Sequence, residues 1–239
     1  MGLPVSLLVR GPAPDSDRVA TAVAQVYAEL RDVDAVFSLY RSDSTLSRLA
    51  RGEPVARTPE ILEVEQRCEQ ARVATGGAFD PRRPDGAWDP SGLVKGWAAE
   101  RASRHLTALE DHDWCLNAGG DVQVGSPSGE PFMVGIEDPT DRTRVLAVVE
   151  RRSGAVATSG TAARGAHLYD PATGGPPREL ASVTVVGPSL TAADVLATAA
   201  YVRGPAGLAL VEAVEDYEAL LVGLDGAQCS TTGWPVTRS

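Results

Sequence analysis

The spacing of apolar residues along this chain changes character near residue 111. Before that point the repeat is helical. Val19, Val23, Val26, Tyr27 and Leu30 recur at intervals suited to one helix face within 15–36, after a strand-like run at 4–10 that ends in the turn residues GPAPDSD. A second helix is expected over 58–74, with Thr58 as N-cap, Pro59 at the first helical position and Glu60 behind it. A third covers about 93–109 and is entered from the glycine-containing loop PSGLVKG. After residue 111 the texture is β-rich: WCLNAG, DVQVG, FMVGIED, RVLAVVE, AVATS and SVTVVG are short runs parted by Gly, Pro, Asn and Asp, the pattern of an antiparallel sheet. The stretch 191–202 is alanine-rich and helical, and 207–215 is a further helix. The segment YEALLVGLDGAQCSTT predicts a hairpin turning at Asp225-Gly226. Helices first, strands next and helices among the last strands describe an α+β chain, not an alternating βαβ series. With no internal repeat and no linker-like composition, one unit over 1–239 is expected.

Charge narrows the partners. The chain has 22 Lys and Arg against 32 Asp and Glu, a net charge of −10, and no basic cluster, so a phosphate backbone would be repelled and nucleic acid is excluded as an expected partner. The same balance suits a site that captures cations. Three cysteines, Cys68, Cys115 and Cys229, are an odd number without metal-type spacing and are expected as small buried apolar side chains. No apolar run approaches the roughly 20 residues of a bilayer span. The start, MGLPVSLLVRG, has neither signal-peptide regions nor a nearby lipid-attachment cysteine, so a cytoplasmic protein is expected.

Five segments set polar residues among glycine turns. In AFDPRRPDGAWDPSGLVKGWAAE, Asp80 and Asp89 lie in a turn-rich stretch, and Ser91-Gly92 and Lys95-Gly96 lead into a helix. Backbone N–H groups at a helix start beside a lysine form an anion cradle; a surface loop with a helix cap is the plainer reading of the segment alone. In LNAGGDVQVG, Gly119-Gly120 before Asp121 permits positive φ and close backbone approach, or simply a tight turn. Of three histidines, His105 and His112 lie on or just beyond a charged helix and are expected in solvent. His167 instead lies between a glycine-rich loop and Tyr169-Asp170-Pro171, a place where catalytic groups are carried. In SLTAADVLATAAYV, Asp194 and Thr198 are four apart on one helix face and form an oxygen pair suited to a hard cation such as Mg²⁺. The same residues also fit a capping box, Thr191-x-x-Asp194, with Thr198 bonded back to its own helix. Finally Tyr40, before a Ser/Asp-rich helix start, offers an aromatic face to a ring system or packs on the core.

Taken in order, FSLYRSDSTLSRL, TGGAFDPRRP, DPSGLVKGWAAERA, LNAGGDVQVG, AVATSG, GAHLYDPATG and TAADVLATAAYVRG run along nearly the whole chain in the arrangement of one family. The sequence resembles the FAD:protein FMN transferases, the ApbE-like flavin transferases. That resemblance implies a T-fold-related, two-lobed α+β unit with an antiparallel sheet, flanking helices and the active site between lobes. It further implies FAD as substrate, with Mg²⁺ (or Mn²⁺) held against the diphosphate. The metal ligands would be the Asp194 and Thr198 side chains and the carbonyls of Gly92 and Ala197. Flavin and ribityl contacts would fall on Met1, Tyr40, Ala78, Phe79 and Asp80, while Asp89 and Lys95 would face the nucleotide. Leu168 would line the pocket beside the catalytic His167. The implied reaction moves the FMN half of FAD onto a Thr or Ser hydroxyl of an acceptor flavoprotein and releases AMP. A hydrolytic FAD diphosphatase and a non-catalytic flavin-binding protein are the alternatives. Thr45 and Ala50 depart from the family's usual acid and amide after Tyr40, and the runs from Asp80 to Asp89 and from Gly160 to His167 are shorter than in many members.

Overall fold

Residues 2–160 and 169–235 are described by a computed structural model. Seven strands form one antiparallel sheet in the order β1 (Val5–Arg10), β2 (Asp113–Ala118), β3 (Asp121–Gly125), β6 (Ser153–Gly160), β7 (Leu180–Gly187), β8 (Glu218–Gly223) and β9 (Gln228–Ser230). A separate ribbon pairs β4 (Phe132–Glu137) with β5 (Val145–Arg151). The helices are α1 (Asp17–Phe37), α2 (Thr45–Ala50), α3 (Pro59–Ala74), α4 (Ser91–Thr107), α5 (Leu190–Arg203) and α6 (Gly207–Glu212). This is the α+β architecture expected from the order of helical and strand periods. The predicted hairpin is β8–β9, turning through Gly226 at φ 80°.

Alternation along the strands divides the core in two. Residues Ala155, Ala157, Val183, Val185, Ala219 and Leu221 pack toward α1, α4 and α5, whereas Val122, Val124, Val156, Val186 and Leu220 join Phe132, Val134, Ile136 and Val149 of the ribbon. The sheet is thus covered by helices on one face and by the β4–β5 ribbon on the other. Within β3 the same period-two rule turns Asp121 and Gln123 away from the ribbon, and both are buried. In β6 it turns Ser159 away from the ribbon face that Val156 occupies.

Helix α5 buries nine of its fourteen residues, including Ala193, Ala197, Ala199 and Ala200, because small side chains let it lie close on the sheet while α4 crosses it. Its N-cap is Ser189, whose Oγ accepts the Ala192 N–H at 3.3 Å. Thr191 donates both its N–H and its hydroxyl to Glu100 of α4, at 2.8 and 2.6 Å. The capping-box reading of Thr191 and Asp194 is therefore replaced by a cap at Ser189 and a tie to the neighbouring helix.

Two further expectations are corrected. His112 is buried, not solvated: its ring bridges the Asp111 carboxylate (2.8 Å) and the Pro12 carbonyl (2.7 Å). Of the cysteines, Cys68 is buried as expected, Cys115 is half-buried and Cys229 is exposed on the edge strand; all three are free thiols. No described helix is long and apolar enough to cross a membrane.

Candidate active site

The close crossing of α4 and α5 sets up the site. Gly96 of α4 has no side chain because there is no room for one: a Cβ there would stand 2.8 Å from the Leu190 carbonyl oxygen and 3.0 Å from the Asp194 Cβ. At this contact the Gly96 N–H donates to Asp194 Oδ2 at 3.0 Å. The other oxygen, Oδ1, is 3.2 Å from the Lys95 ammonium, which also pairs with Asp121 Oδ2. Asp121 Oδ1 in turn accepts the Thr158 N–H at 3.1 Å. Asp194 and Asp121 are 2% and 1% exposed, so two carboxylates and one ammonium share a buried cluster that carries one surplus negative charge when all three groups are ionised. Burial, reinforced by Asp121 and opposed by Lys95, pushes the Asp194 carboxyl up from its ordinary range to about 7.

Lys95 and Asp194 of this cluster line a pocket of about 90 Å³ together with Ala78, Phe79, Asp80, Asp89, Gly92, Thr198 and Tyr169. The opposite wall is a turn held from below. Gly76 and Gly77 take positive φ, Thr75 Oγ1 accepts the Phe79 N–H at 3.0 Å, and Arg203 donates to the Thr75 and Gly76 carbonyls. Tyr169 ties the same wall from another direction, donating its hydroxyl to the carbonyls of Asp80 (2.8 Å) and Arg82. Burial is the first cause that pushes the Tyr169 phenol upward, so it acts as a donor across the ordinary pH range.

Eight predicted residues thus meet in one pocket from distant points of the chain: Ala78, Phe79 and Asp80, consecutive in the chain, with Asp89, Gly92, Lys95, Asp194 and Thr198. Thr198 hydrogen-bonds to Ser159 at 3.1 Å. Ala197 is fully buried and does not line the pocket. Tyr40 is 85% exposed, which decides against a packed core tyrosine; a side chain on Gly2 would stand 3.8 Å from its ring. The anion-cradle reading of the α4 start is modified, because Asp89 Oδ1 accepts the Ser91 N–H at 3.0 Å and the Pro90 carbonyl accepts those of Leu93 and Val94. Met1, His167 and Leu168 lie outside the described residues.

A second, larger cavity of about 710 Å³ adjoins the first and shares Gly119, Thr158 and Gly160 with it. It runs between the sheet and the edge of β4, past Gly2, Cys115 and Asn117. The small pocket has room for a compact polar group; the large one has room for the arm of an extended ligand.

The model of the ApbE family matches residues 1–83 and 82–221. This chain belongs to the ApbE family. Among curated ApbE relatives, the FAD:protein FMN transferase of Rhodobacter capsulatus is 33% identical over 173 residues, covering 69% of this chain but 31% of the relative. The FAD:protein FMN transferase of Haemophilus influenzae is 25% identical, with 75% of this chain and 72% of the relative covered. The chain therefore spans under a third of the length of the first relative and nearly three quarters of the second. The ApbE protein of Thermotoga maritima superposes with a TM-score of 0.83 at 23% identity, covering 97% of this chain and 94% of that one. The flavin transferase ApbE of Vibrio cholerae gives 0.77 at 23% identity, with 96% and 98% covered. These two likenesses carry the fold and bear out the α+β, mostly antiparallel architecture; the family match bears out the resemblance read from the ordered motifs.

Tyr169, which lines the pocket, and Asp121, which pairs with the pocket residue Lys95 from behind it, are site residues that the motifs did not single out. A signal for Asp121 existed: an acid directly after two glycines, at the first position of an alternating strand whose next apolar residue faces the other way. No local signal marked Tyr169, whose role depends on a loop 87 residues earlier in the chain.

Proposed function

We propose that this protein transfers the FMN half of FAD onto a Thr or Ser hydroxyl of an acceptor flavoprotein, with a divalent cation, Mg²⁺ or Mn²⁺, at the diphosphate. The observation that carries the reading is the convergence of Asp194, Thr198 and Lys95 in a small polar pocket that opens on a far larger cavity. A dinucleotide is built the same way, with a compact anionic centre and two bulky arms. The curated relatives named FAD:protein FMN transferase support the same activity.

The donor set fits a hard cation. The buried cluster has surplus negative charge, Asp194 is a carboxylate lining the pocket, and Thr198 adds a hydroxyl to the same wall. No group of three or more His, Cys, Asp or Glu gathers for a metal among the described residues. That suits Mg²⁺, which is held by one or two carboxylates and takes its remaining oxygens from water and substrate phosphates. Asp194, Thr198 and the Gly92 carbonyl, which line the pocket, would hold it, and when bound it supplies charge neutralisation at the diphosphate.

The chain's own residues do the rest. Lys95 presents its ammonium to a phosphate oxygen and orients the FMN phosphorus. The acceptor oxygen forms a new bond to that phosphorus as the bond to the bridging oxygen breaks, and AMP leaves. His167 takes the hydroxyl proton as general base. Phosphoryl transfer asks mainly for positioning and charge compensation, which is what a fixed lysine between two buried carboxylates provides. Asp80 and Asp89 would repel phosphate, so their place is against the hydroxyl or N–H groups of the substrate's arms. Tyr40 is free to lie on a flavin ring.

The test is incubation with FAD, Mg²⁺ and an acceptor flavoprotein, followed by mass spectrometry of the acceptor and quantification of AMP. Covalent FMN on the acceptor with matching AMP supports transfer. Free FMN and AMP with an unmodified acceptor makes the protein a diphosphatase, and bound FAD without AMP makes it a binding protein.

A further inference from the structure

From the Lys95–Asp121–Asp194 cluster we infer that Asp121 is a positioning residue: it holds the Lys95 ammonium aside so that Asp194 can serve the cation. This rests on the proposed function, because it presupposes a divalent cation at Asp194.

The problem is one of charge. The Lys95 ammonium lies 3.2 Å from Asp194 Oδ1, the oxygen facing away from the Gly96 N–H. A dication on that oxygen and an ammonium at that distance repel, and in a cluster this buried the repulsion is weakly screened. Lysine bound to Asp194 alone would be a competitor of the metal. Asp121 removes the competition. Its Oδ2 pairs with the same ammonium from the sheet side, giving Lys95 a carboxylate that the metal does not need.

Asp121 is built to stay in place while that exchange happens. It opens β3 directly after Gly119 and Gly120, which take φ values of 66° and 100°. Its Oδ1 is fixed by the Thr158 N–H of β6, and its residue is 1% exposed. Asp194 is on a helix and Asp121 on a sheet, so the ammonium is suspended between two independent rigid elements. When Asp194 engages the cation, Lys95 remains paired with Asp121 at the pocket that Lys95 itself lines. The role differs from that of a metal ligand, and a pair of substitutions separates the two.

The experiment measures Mg²⁺ affinity calorimetrically, without substrate, for the wild type, Asp121→Asn, Lys95→Met and the double variant. If Asp121 acts through Lys95, Asp121→Asn weakens Mg²⁺ by about tenfold, since the ammonium then loses the carboxylate that draws it off Asp194, whereas Lys95→Met tightens it. In the double variant the affinity returns to that of Lys95→Met, because without the lysine there is nothing for Asp121 to restrain. A tenfold loss that persists in the Lys95→Met background overturns the inference and makes Asp121 a ligand. An unchanged affinity in Asp121→Asn overturns it as well. The recovered binding of the double variant also guards against misfolding as the cause of the single variant's loss. Asp194→Asn is the control for the underlying reading: if it binds Mg²⁺ as the wild type does, the cation is not at Asp194, and the proposed site itself fails.

Discussion

Asp194 has two oxygens in two environments, one committed to the Gly96 N–H inside the helix pair and one facing Lys95 and the pocket. Asn in its place keeps the shape and removes the charge. Asp194→Asn is expected to lower Mg²⁺-dependent FAD turnover by on the order of a hundredfold or more, with an unchanged circular dichroism spectrum. Turnover within a few fold of wild type would contradict the assignment. A second carboxylate illustrates a purely structural role. Asp113 accepts the Ser128 N–H (3.0 Å) and hydroxyl (2.7 Å) and pairs with Arg10 at 3.0 Å. Burial opposes ionisation there, but the Ser128 and Arg10 bonds outweigh it and hold the carboxyl below its ordinary range. A depressed folded-state pKa means stability that is present above the unfolded value of about 4 and is lost as pH falls through the folded value. Asp113→Asn should therefore cost about 1–2 kcal/mol at neutral pH, and the cost should shrink steadily in acid. Urea titrations of both proteins at several pH values measure it; a pH-independent difference would count against the charge being responsible.

Among the elements, the α4–α5 crossing matters most, since it brings Lys95, Gly96, Asp194 and Thr198 to one wall. Two features hold it: the missing side chain at Gly96 and the Glu100 carboxylate, whose Oε2 accepts from Ser189 and from both donors of Thr191. Gly96→Ala should push α5 away from α4 rather than be absorbed, because the nearest atom is a backbone carbonyl oxygen. Although alanine is the better helix former, we expect a net loss of about 1–3 kcal/mol by urea denaturation and weaker FAD binding. A stabilised variant with normal affinity would show that the helices can separate without disturbing the site.

For the whole molecule, the two adjoining cavities predict where an extended ligand lies. Its three thiols are well placed to report on this. Cys68 is buried, and burial pushes its pKa up to about 12, so it stays inert; Cys115 lines the larger cavity; Cys229 is exposed on β9, away from it. Saturating FAD with Mg²⁺ should slow modification of Cys115 by a maleimide severalfold and leave Cys229 unchanged, as read by peptide mass spectrometry. Equal protection of both, or of neither, would place the ligand elsewhere.

How much of this was legible beforehand follows from range. Helix periodicity, caps such as Thr58 and the Asp225-Gly226 turn depend on neighbours a few positions apart, so the element order and the α+β class could be read directly from the residues. The ordered motifs named the family and most of the pocket. What the sequence left open were choices between two local readings of the same residues, Asp194 as cap or as pocket carboxylate and Tyr40 as packed or free; His112, expected in solvent, it misplaced. Asp194 and His112 were decided by partners far along the chain, Gly96 and Pro12, and Tyr40 by its exposure. The role of Asp121 was decided only when β3 packed against α4, because a carboxylate's role depends on which charge stands beside it, and packing alone supplies that neighbour.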